Sequence, residues 1–196
     1  MSETERLEWD HRYAEGEYRP RTRPSPFLEE WIDRLPAGRA LDVACGVGRN
    51  ALLLAESGYR VEAVDISRSA IEMARTEADR RGLEVAWRVV DLDEACVQTS
   101  FYDVITVIRY VNRRLWPRLT AALAPNGWLL IEHHLRTTAD VDGPSSPEFR
   151  LAPQELLKAF RSLRILHYEE GLETAEGEGK GFALARMVAC NGDPGW

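Results

Sequence analysis

Hydrophobic and polar positions along this chain switch between two periods, and the switches come at regular intervals. Apolar runs at 39–43, 60–64, 84–90, 102–108 and 128–132 are short and bounded by turn residues, which predicts five strands. Between them lie stretches with helical spacing: 49–57, a second from Ser67 or Ser69 to 81, and a third at 112–123. Gly58 and Gly82 stop the first two, and Pro117 falls in the first turn of the third. Ala70, Ile71, Ala74 and Ala78 form one buried stripe, and Leu115, Leu119 and Leu123 another.

The flanks read differently. Residues 1–26 are polar and broken by Pro20, Pro24 and Pro26, which predicts an extended or turning segment, with Trp9 and Tyr13 able to anchor a short helix. Phe27, Leu28, Trp31, Ile32 and Leu35 give helical spacing over 27–35, ended by Pro36-Ala37-Gly38. Beyond the fifth strand come a Pro/Ser/Asp-rich loop at 136–150, a short helix at 153–160, and two last strands at 164–168 and 182–189 across an acidic, glycine-rich connection at 169–181. The acidic stretch 169–178 reads as a solvated hairpin. Strand–helix alternation predicts an α/β fold: a Rossmann-like, doubly wound, mainly parallel seven-stranded sheet with an antiparallel C-terminal edge hairpin. One domain over 1–196 is expected, with an N-terminal arm and helix at 1–38, a cofactor-binding core at 39–135, and a C-terminal loop, helix and hairpin at 136–196.

Composition narrows the function. The formal net charge of −7 argues against non-specific nucleic-acid binding, which needs a basic footprint. No long apolar run predicts a membrane span, and the charged first ten residues lack a signal-peptide core. Cys45, Cys96 and Cys190 show neither paired nor metal-like spacing, so a reducing cytoplasm is expected and no metal site. Cys96 and Cys190 read as core residues.

The chemistry concentrates at Ala40-Leu41-Asp42-Val43-Ala44-Cys45-Gly46-Val47-Gly48-Arg49-Asn50. An apolar strand feeds a helix through a Gly-x-Gly loop, where the backbone approaches a ligand closely and the new helix offers unpaired N–H groups. The second strand ends in Asp65, an acid able to accept both hydroxyls of a ribose. Gly46-x-Gly48-x-x-Ala51 also fits the dinucleotide pattern, but Asp42 would repel a pyrophosphate and Asp91 follows the third strand where a base is reached more readily than a phosphate.

At this point the chain resembles class I S-adenosylmethionine-dependent methyltransferases, over nearly its whole length. The resemblance rests on Leu41 to Gly48, Asp65, Val90-Asp91-Leu92, Phe101-Tyr102-Asp103-Val104-Ile105, and Leu123-Ala124-Pro125-Asn126-Gly127-Trp128-Leu129. More narrowly it resembles the tellurite-resistance and thiopurine-type small-molecule methyltransferases, through Trp9-Asp10-x-Arg12-Tyr13, Gly48-Arg49-Asn50, Phe149-x-Leu151 with Glu155-Leu156, and Tyr168-Glu169-Glu170-Gly171. Where tellurite-resistance enzymes carry a His-Arg pair, this chain has Leu172-Glu173-Thr174-Ala175, which argues against an anionic tellurite acceptor. Asn126 replaces a usual glycine, a mild change because Asn tolerates positive φ.

The resemblance implies S-adenosyl-L-methionine as cofactor. Its expected contacts are Trp9, Asp42, Ala44, Cys45, Gly46, Gly48, Arg49, Asn50, Asp65, Ile66, Asp91 and Leu92. Asp42 would help bind the methionine ammonium, directly or through water, Asp65 the ribose, and Asp91 with Leu92 the adenine; Trp9 and Tyr13 would close over the site. Gly48 is expected to leave room for the ligand's approach. Cys45 reads as a packing residue ahead of an activated thiolate. The catalytic candidates are Arg109 and Tyr110 after the fourth strand and His133 and His134 after the fifth, with at most one of the histidines facing the site because adjacent residues point oppositely. Asn112 and Arg150 are further substrate candidates, and Arg113, Arg114 and Arg118 read as a solvated helix face. No Asn/Asp-Pro-Pro-aromatic sequence follows the fourth strand, which favours a small-molecule acceptor, with a thiol or reduced chalcogen as the leading expectation. Two alternatives stay open: an NAD(P)-dependent oxidoreductase and a non-catalytic S-adenosylmethionine-binding protein.

Overall fold

The computed structural model describes residues 3–15, 20–93, 97–174 and 180–195. Seven strands form one sheet: β1 (Arg39–Val43), β2 (Arg60–Asp65), β3 (Val85–Val89), β4 (Tyr102–Ile108), β5 (Leu123–His134), β6 (Arg164–Glu173) and β7 (Phe182–Cys190), in the spatial order β3-β2-β1-β4-β5-β7-β6. The first five strands are parallel; β7 runs antiparallel to both β5 and β6. The doubly wound sheet and its antiparallel edge hairpin are as the pattern predicts. The strand order reverses between β1 and β4, which opens a crevice at the carboxyl ends of the strands.

Alternation along the central strands divides the core. Leu41, Val43, Ile105, Val107, Leu129 and Ile131 face α5 (Trp116–Ala122) and α6 (Glu155–Ala159), with Leu119, Leu156 and Phe160 packed among them. Ala40, Val104, Leu130 and Val188 face the opposite side, against Phe27, Leu28 and Trp31 of α2 (Pro26–Trp31), Ala51 and Leu54 of α3 (Arg49–Glu56), and Ile71 of α4 (Arg68–Arg81). Each such side chain fully buried contributes roughly 1.5–3 kcal/mol, so the two layers, rather than helix propensity, hold these short helices in place.

Several boundaries differ from the sequence expectation, each for a local reason. The N-terminal segment is a twelve-residue helix, α1 (Glu3–Ala14), tied down by Asp10, whose carboxylate accepts from Ser67 Oγ at 2.8 Å and the Ser69 amide at 3.0 Å. The second helix ends at Trp31 and tightens to a 3₁₀ turn over Ile32–Arg34. The helix expected from residue 112 begins at Trp116, because the Asn112 side chain accepts the Arg114 amide at 3.1 Å and turns the chain first. At the expected 153–160 helix, Gln154 takes φ +60°, so α6 starts at Glu155. Strand β5 begins at Leu123 and passes through Pro125-Asn126-Gly127, with Asn126 at φ +64°; a β-carbon at Gly127 would lie 2.7 Å from the Tyr102 carbonyl oxygen.

The acidic segment after β6 corrects a second expectation. Strand β6 extends to Glu173, because Arg186 on β7 binds Glu169 at 2.9 Å and also Glu173 across the pair. Arg186 further donates from Nε to Glu132 at 2.7 Å. Cys190 is buried, as expected of a core residue; Cys96 and residues 175–179 lie outside the described residues. Among the described residues no helix is long and apolar enough to cross a membrane.

Two predictions follow from the packing. Gly48 sits at φ +79°, and a β-carbon there would lie 2.4 Å from Trp87 Cη2 and 3.0 Å from Ala74 Cβ. Gly48→Ala should therefore destabilise the domain itself, by roughly 1–3 kcal/mol, read as a lowered Tm in the absence of ligand. An unchanged Tm would show that the loop shifts freely.

The other concerns His133, which is buried and donates from Nε2 to the Phe149 carbonyl at 2.8 Å. Burial pushes its pKa down to about 4, so the folded protein keeps it neutral while the unfolded chain protonates it near 6.5. A depressed folded pKa means its contribution is complete above pH 6.5 and lost as pH falls toward 4, at about 1.4 kcal/mol per pH unit. His133→Gln should remove that increment from the pH dependence of stability. Parallel stability curves for the two proteins between pH 4 and 6.5 would contradict it.

Candidate functional site

A cavity of about 590 Å³ opens at the carboxyl ends of the parallel strands, where the strand order reverses. Ala44, Cys45, Gly46 and Val47 line it from the loop after β1, Arg49 and Asn50 from the start of α3, and Asp65 and Ile66 from the end of β2. Leu92 lines it after β3, Ile108, Arg109 and Tyr110 from the end of β4, and His134 from the end of β5. Trp9 and Tyr13 of α1 line it from above.

The loop after β1 is shaped by positive φ at Ala44 (+54°), Gly46 (+55°) and Gly48 (+79°). Its amides are partly held by Asp65, whose Oδ2 accepts from Gly46 N at 2.7 Å and whose Oδ1 accepts from Ser67 N at 2.9 Å. Burial pushes the Asp65 carboxyl up, against the pull of those amides. Ser67, not Asp65, caps α4, accepting the Ala70 amide at 3.1 Å. A β-carbon at Gly46 would lie 2.9 Å from the Tyr13 hydroxyl, so the small residue lets α1 seat directly over the loop.

Six of the sequence-derived candidates lie outside the cavity lining: Asp42, Gly48, Asp91, His133, Asn112 and Arg150. Asp42 points to the α3 face of the sheet and accepts from Thr106 Oγ1 at 2.8 Å; burial pushes its carboxyl up to about 7. It sits beneath the loop, against the start of α3, and is not among the residues that line the cavity. Gly48 makes room for Trp87 and Ala74 rather than for a ligand. Asp91 accepts the Asp93 amide at 2.9 Å and closes a turn, leaving Leu92 as the residue from that motif at the cavity. Alternation along β5 sends His133 to Phe149 and His134 to the cavity, so one histidine faces the site.

The far end of the cavity is built on a buried carboxylate. Glu132 of β5 accepts from Arg109 Nε at 3.0 Å and from Arg186 Nε at 2.7 Å. Burial raises its carboxyl, but the two guanidiniums outweigh that and hold it below the usual range. Arg109, at φ +62°, also sets Nη1 3.2 Å from the His134 ring. Burial and this neighbouring charge push His134 down to about 3, so it is a neutral ring at physiological pH and a weak proton acceptor. Burial likewise pushes Tyr110 up to about 12 and Cys45 well above the ordinary thiol range. Cys45 is a packing residue here, as its sequence reading expected.

Arg150 donates to the carbonyls of Pro144 and Leu135 and clips the 136–150 loop instead of entering the cavity. Arg113 is likewise not a solvated face: it binds Glu155 at 2.5 Å and the carbonyls of Glu148 and Arg150. Asn112 turns to Asp93 at 2.7 Å. Sequence reasoning missed Arg21, Asp142, Gly143, Pro144 and Phe182, all of which line the cavity. The Gly143-Pro144 pair marks a turn, but nothing local tells that the turn folds back over His134. A β-carbon at Gly143 would lie 2.6 Å from His134 Nδ1, which is why only glycine passes there. Among the described residues no group of three or more His, Cys, Asp or Glu stands where it could hold a metal ion.

Comparison with known proteins agrees with this geometry. Residues 40–127 match the family described as "Methyltransferase domain". The ubiquinone biosynthesis O-methyltransferase of Bordetella avium is 31% identical over 131 residues, covering 62% of this chain and 53% of the relative. The probable S-adenosyl-L-methionine-dependent methyltransferase TehB of Haemophilus influenzae is 26% identical over 140 residues, covering 68% of this chain and 49% of the relative. The chain thus spans about half the length of these curated relatives. Among solved structures, TehB from Haemophilus influenzae superposes with a TM-score of 0.74 at 22% identity, covering 93% of this chain and 66% of that one. A structure titled for the conversion of a disulfide bond into a thioacetal group during echinomycin biosynthesis gives 0.74 at 23%, covering 94% and 90%. Residues 40–127 thus match a methyltransferase domain, and the chain as a whole has the fold of the TehB structure on which it superposes.

Proposed function

We propose that this protein transfers a methyl group from S-adenosylmethionine to a small-molecule acceptor with a soft nucleophile, a thiol or a reduced chalcogen. The residues fit the cofactor. The backbone of Ala44 to Val47 and the side chain of Asn50 would hold its methionine end, Asp65 its ribose, and Ile66 and Leu92 its adenine, under Trp9 and Tyr13. When bound, the cofactor supplies an electrophilic methyl on a sulfonium. The chain's part is to orient the acceptor in line and exclude water.

The observation that carries the soft-nucleophile reading is at the ends of β4 and β5, where the two titratable rings that reach the cavity, Tyr110 and His134, are poor bases near neutral pH. His134 is held neutral near 3, Tyr110 is protonated to about 12, and the Cys45 thiol is pushed up. An acceptor must then ionise largely by itself. A thiol is already a few per cent ionised at neutral pH, whereas a phenol with pKa near 10 is ionised only to about 0.1%, roughly thirtyfold less. Arg109 and Tyr110 would orient the acceptor. The relatives support a small acceptor without fixing its atom: one is named for O-methylation in ubiquinone biosynthesis, and one structural neighbour's title concerns a disulfide-derived thioacetal.

S-adenosylhomocysteine should raise the Tm by several degrees at a hundredfold excess over its dissociation constant, which corresponds to about 2.7 kcal/mol. NAD(H) should leave the Tm unchanged. The reverse pattern would overturn the cofactor assignment.

With radiolabelled methyl donor, aryl thiols should be methylated faster than the matching phenols. The inflection of rate against pH should move with the pKa of each thiol tried. An inflection fixed at one pH across acceptors would mean a protein base does the work, and robust transfer to RNA alone would reject the small-molecule reading.

A further inference from the structure

The acceptor end of the cavity holds two cationic side chains on one aromatic ring. The Arg21 guanidinium carbon lies 4.7 Å from the centroid of Phe182, and that of Arg109 lies 5.0 Å from it. Arg21 comes from the segment between α1 and α2, Arg109 from the end of β4, and Phe182 from the first position of β7. Three distant parts of the chain thus converge on one spot, and all three residues line the cavity.

The Arg21 charge is not neutralised from within. Arg21 makes no hydrogen bond or ion pair among the described residues. Arg109 shares Glu132 with Arg186, sets Nη1 against the neutral His134 ring, and leaves Nη2 without a partner among the described residues. The acids at the cavity are otherwise engaged: Asp65 accepts the Gly46 and Ser67 amides, and Asp142 accepts the Lys180 amide at 3.2 Å. Two like charges at one partly enclosed ring repel each other. An anion bound between them removes that repulsion. Guanidinium donors in a plane match a carboxylate better than any neutral group, and stacking on Phe182 fixes their direction. Phe182, Tyr110 and Pro144 supply flat apolar surface beside them.

We propose that Arg21 and Arg109 on Phe182 form an anion subsite, and that the methyl acceptor is a small, flat molecule bearing a carboxylate. The carboxylate seats at the guanidiniums and aims the nucleophile away from them, toward the glycine loop. This rests on the methyl-transfer reading and adds the acceptor's charge to it.

The test is a pair of ligands that differ in charge alone, 4-mercaptobenzoate and 4-mercaptobenzamide, titrated by calorimetry into the full-length protein saturated with S-adenosylhomocysteine. The acid should bind at least tenfold more tightly than the amide, with the advantage shrinking as salt is raised. Arg21→Gln should reduce that preference to threefold or less while S-adenosylhomocysteine binds as before. Equal affinity for acid and amide, including no binding of either, would overturn the proposal. So would a preference that survives Arg21→Gln, or a loss of S-adenosylhomocysteine affinity in that variant, which would assign Arg21 to the cofactor's own carboxylate. Failure of the wild-type protein to bind S-adenosylhomocysteine at all would instead strike at the methyl-transfer reading on which this one stands.

Discussion

One buried carboxylate organises the cofactor side of this molecule. Asp65 ends β2 and accepts one amide from the loop after β1 and one from the residue that caps α4. Loop, strand end and helix start are thereby fixed to one another through two hydrogen bonds to a charged acceptor, each worth roughly 1.5–3 kcal/mol. The same cap residue, Ser67, donates to Asp10, so the N-terminal helix is referenced to that point as well. Placing this acid and the glycine loop in one unit is what lets the sheet edge act as a defined site.

Glu132 plays the corresponding part at the other end of the cavity. It is almost fully buried, an expensive place for a charge, and it stays ionised only because Arg109 and Arg186 converge on it. Its two bonds tie the end of β4 to the β5–β7 pair, and through Glu169 and Glu173 to the edge strand. One consequence is chemical. Buried, and with a guanidinium fixed beside it, His134 does not readily take a proton, so the histidine that reaches the cavity serves as a neutral polar wall. The architecture that positions Arg109 is the same one that removes a base.

The sheet was legible in the sequence because its strands are short, apolar and bounded by Gly, Pro and Asp, and because their order of motifs is strict. The glycine loop and Asp65 were legible for the same reason. What sequence could not supply is contact between distant segments. Gly48 looks identical to Gly46 in the motif, yet one passes a Trp87 ring and the other seats Tyr13. Asp42 reads as a ligand acid because it sits two residues before the loop, but strand alternation turns it to the α3 face of the sheet, where Thr106 donates to it. Arg21, Gly143 and Phe182 carry no local signal; they meet only when the N-terminal segment, the loop after β5 and the edge hairpin fold onto the same crevice. The strand continues past Tyr168 into the acidic run because Arg186 of β7 stands opposite Glu169 in register.

The claim that most of this account depends on is that Asp65 and the glycine loop form a site for S-adenosylmethionine. Calorimetric titration of S-adenosylhomocysteine into the wild-type and Asp65→Asn proteins tests it directly. The account predicts one site per chain in the wild type and an affinity at least tenfold weaker in the variant, with both proteins cooperatively folded. Equal affinity in the two proteins, or no binding to the wild type, would contradict it.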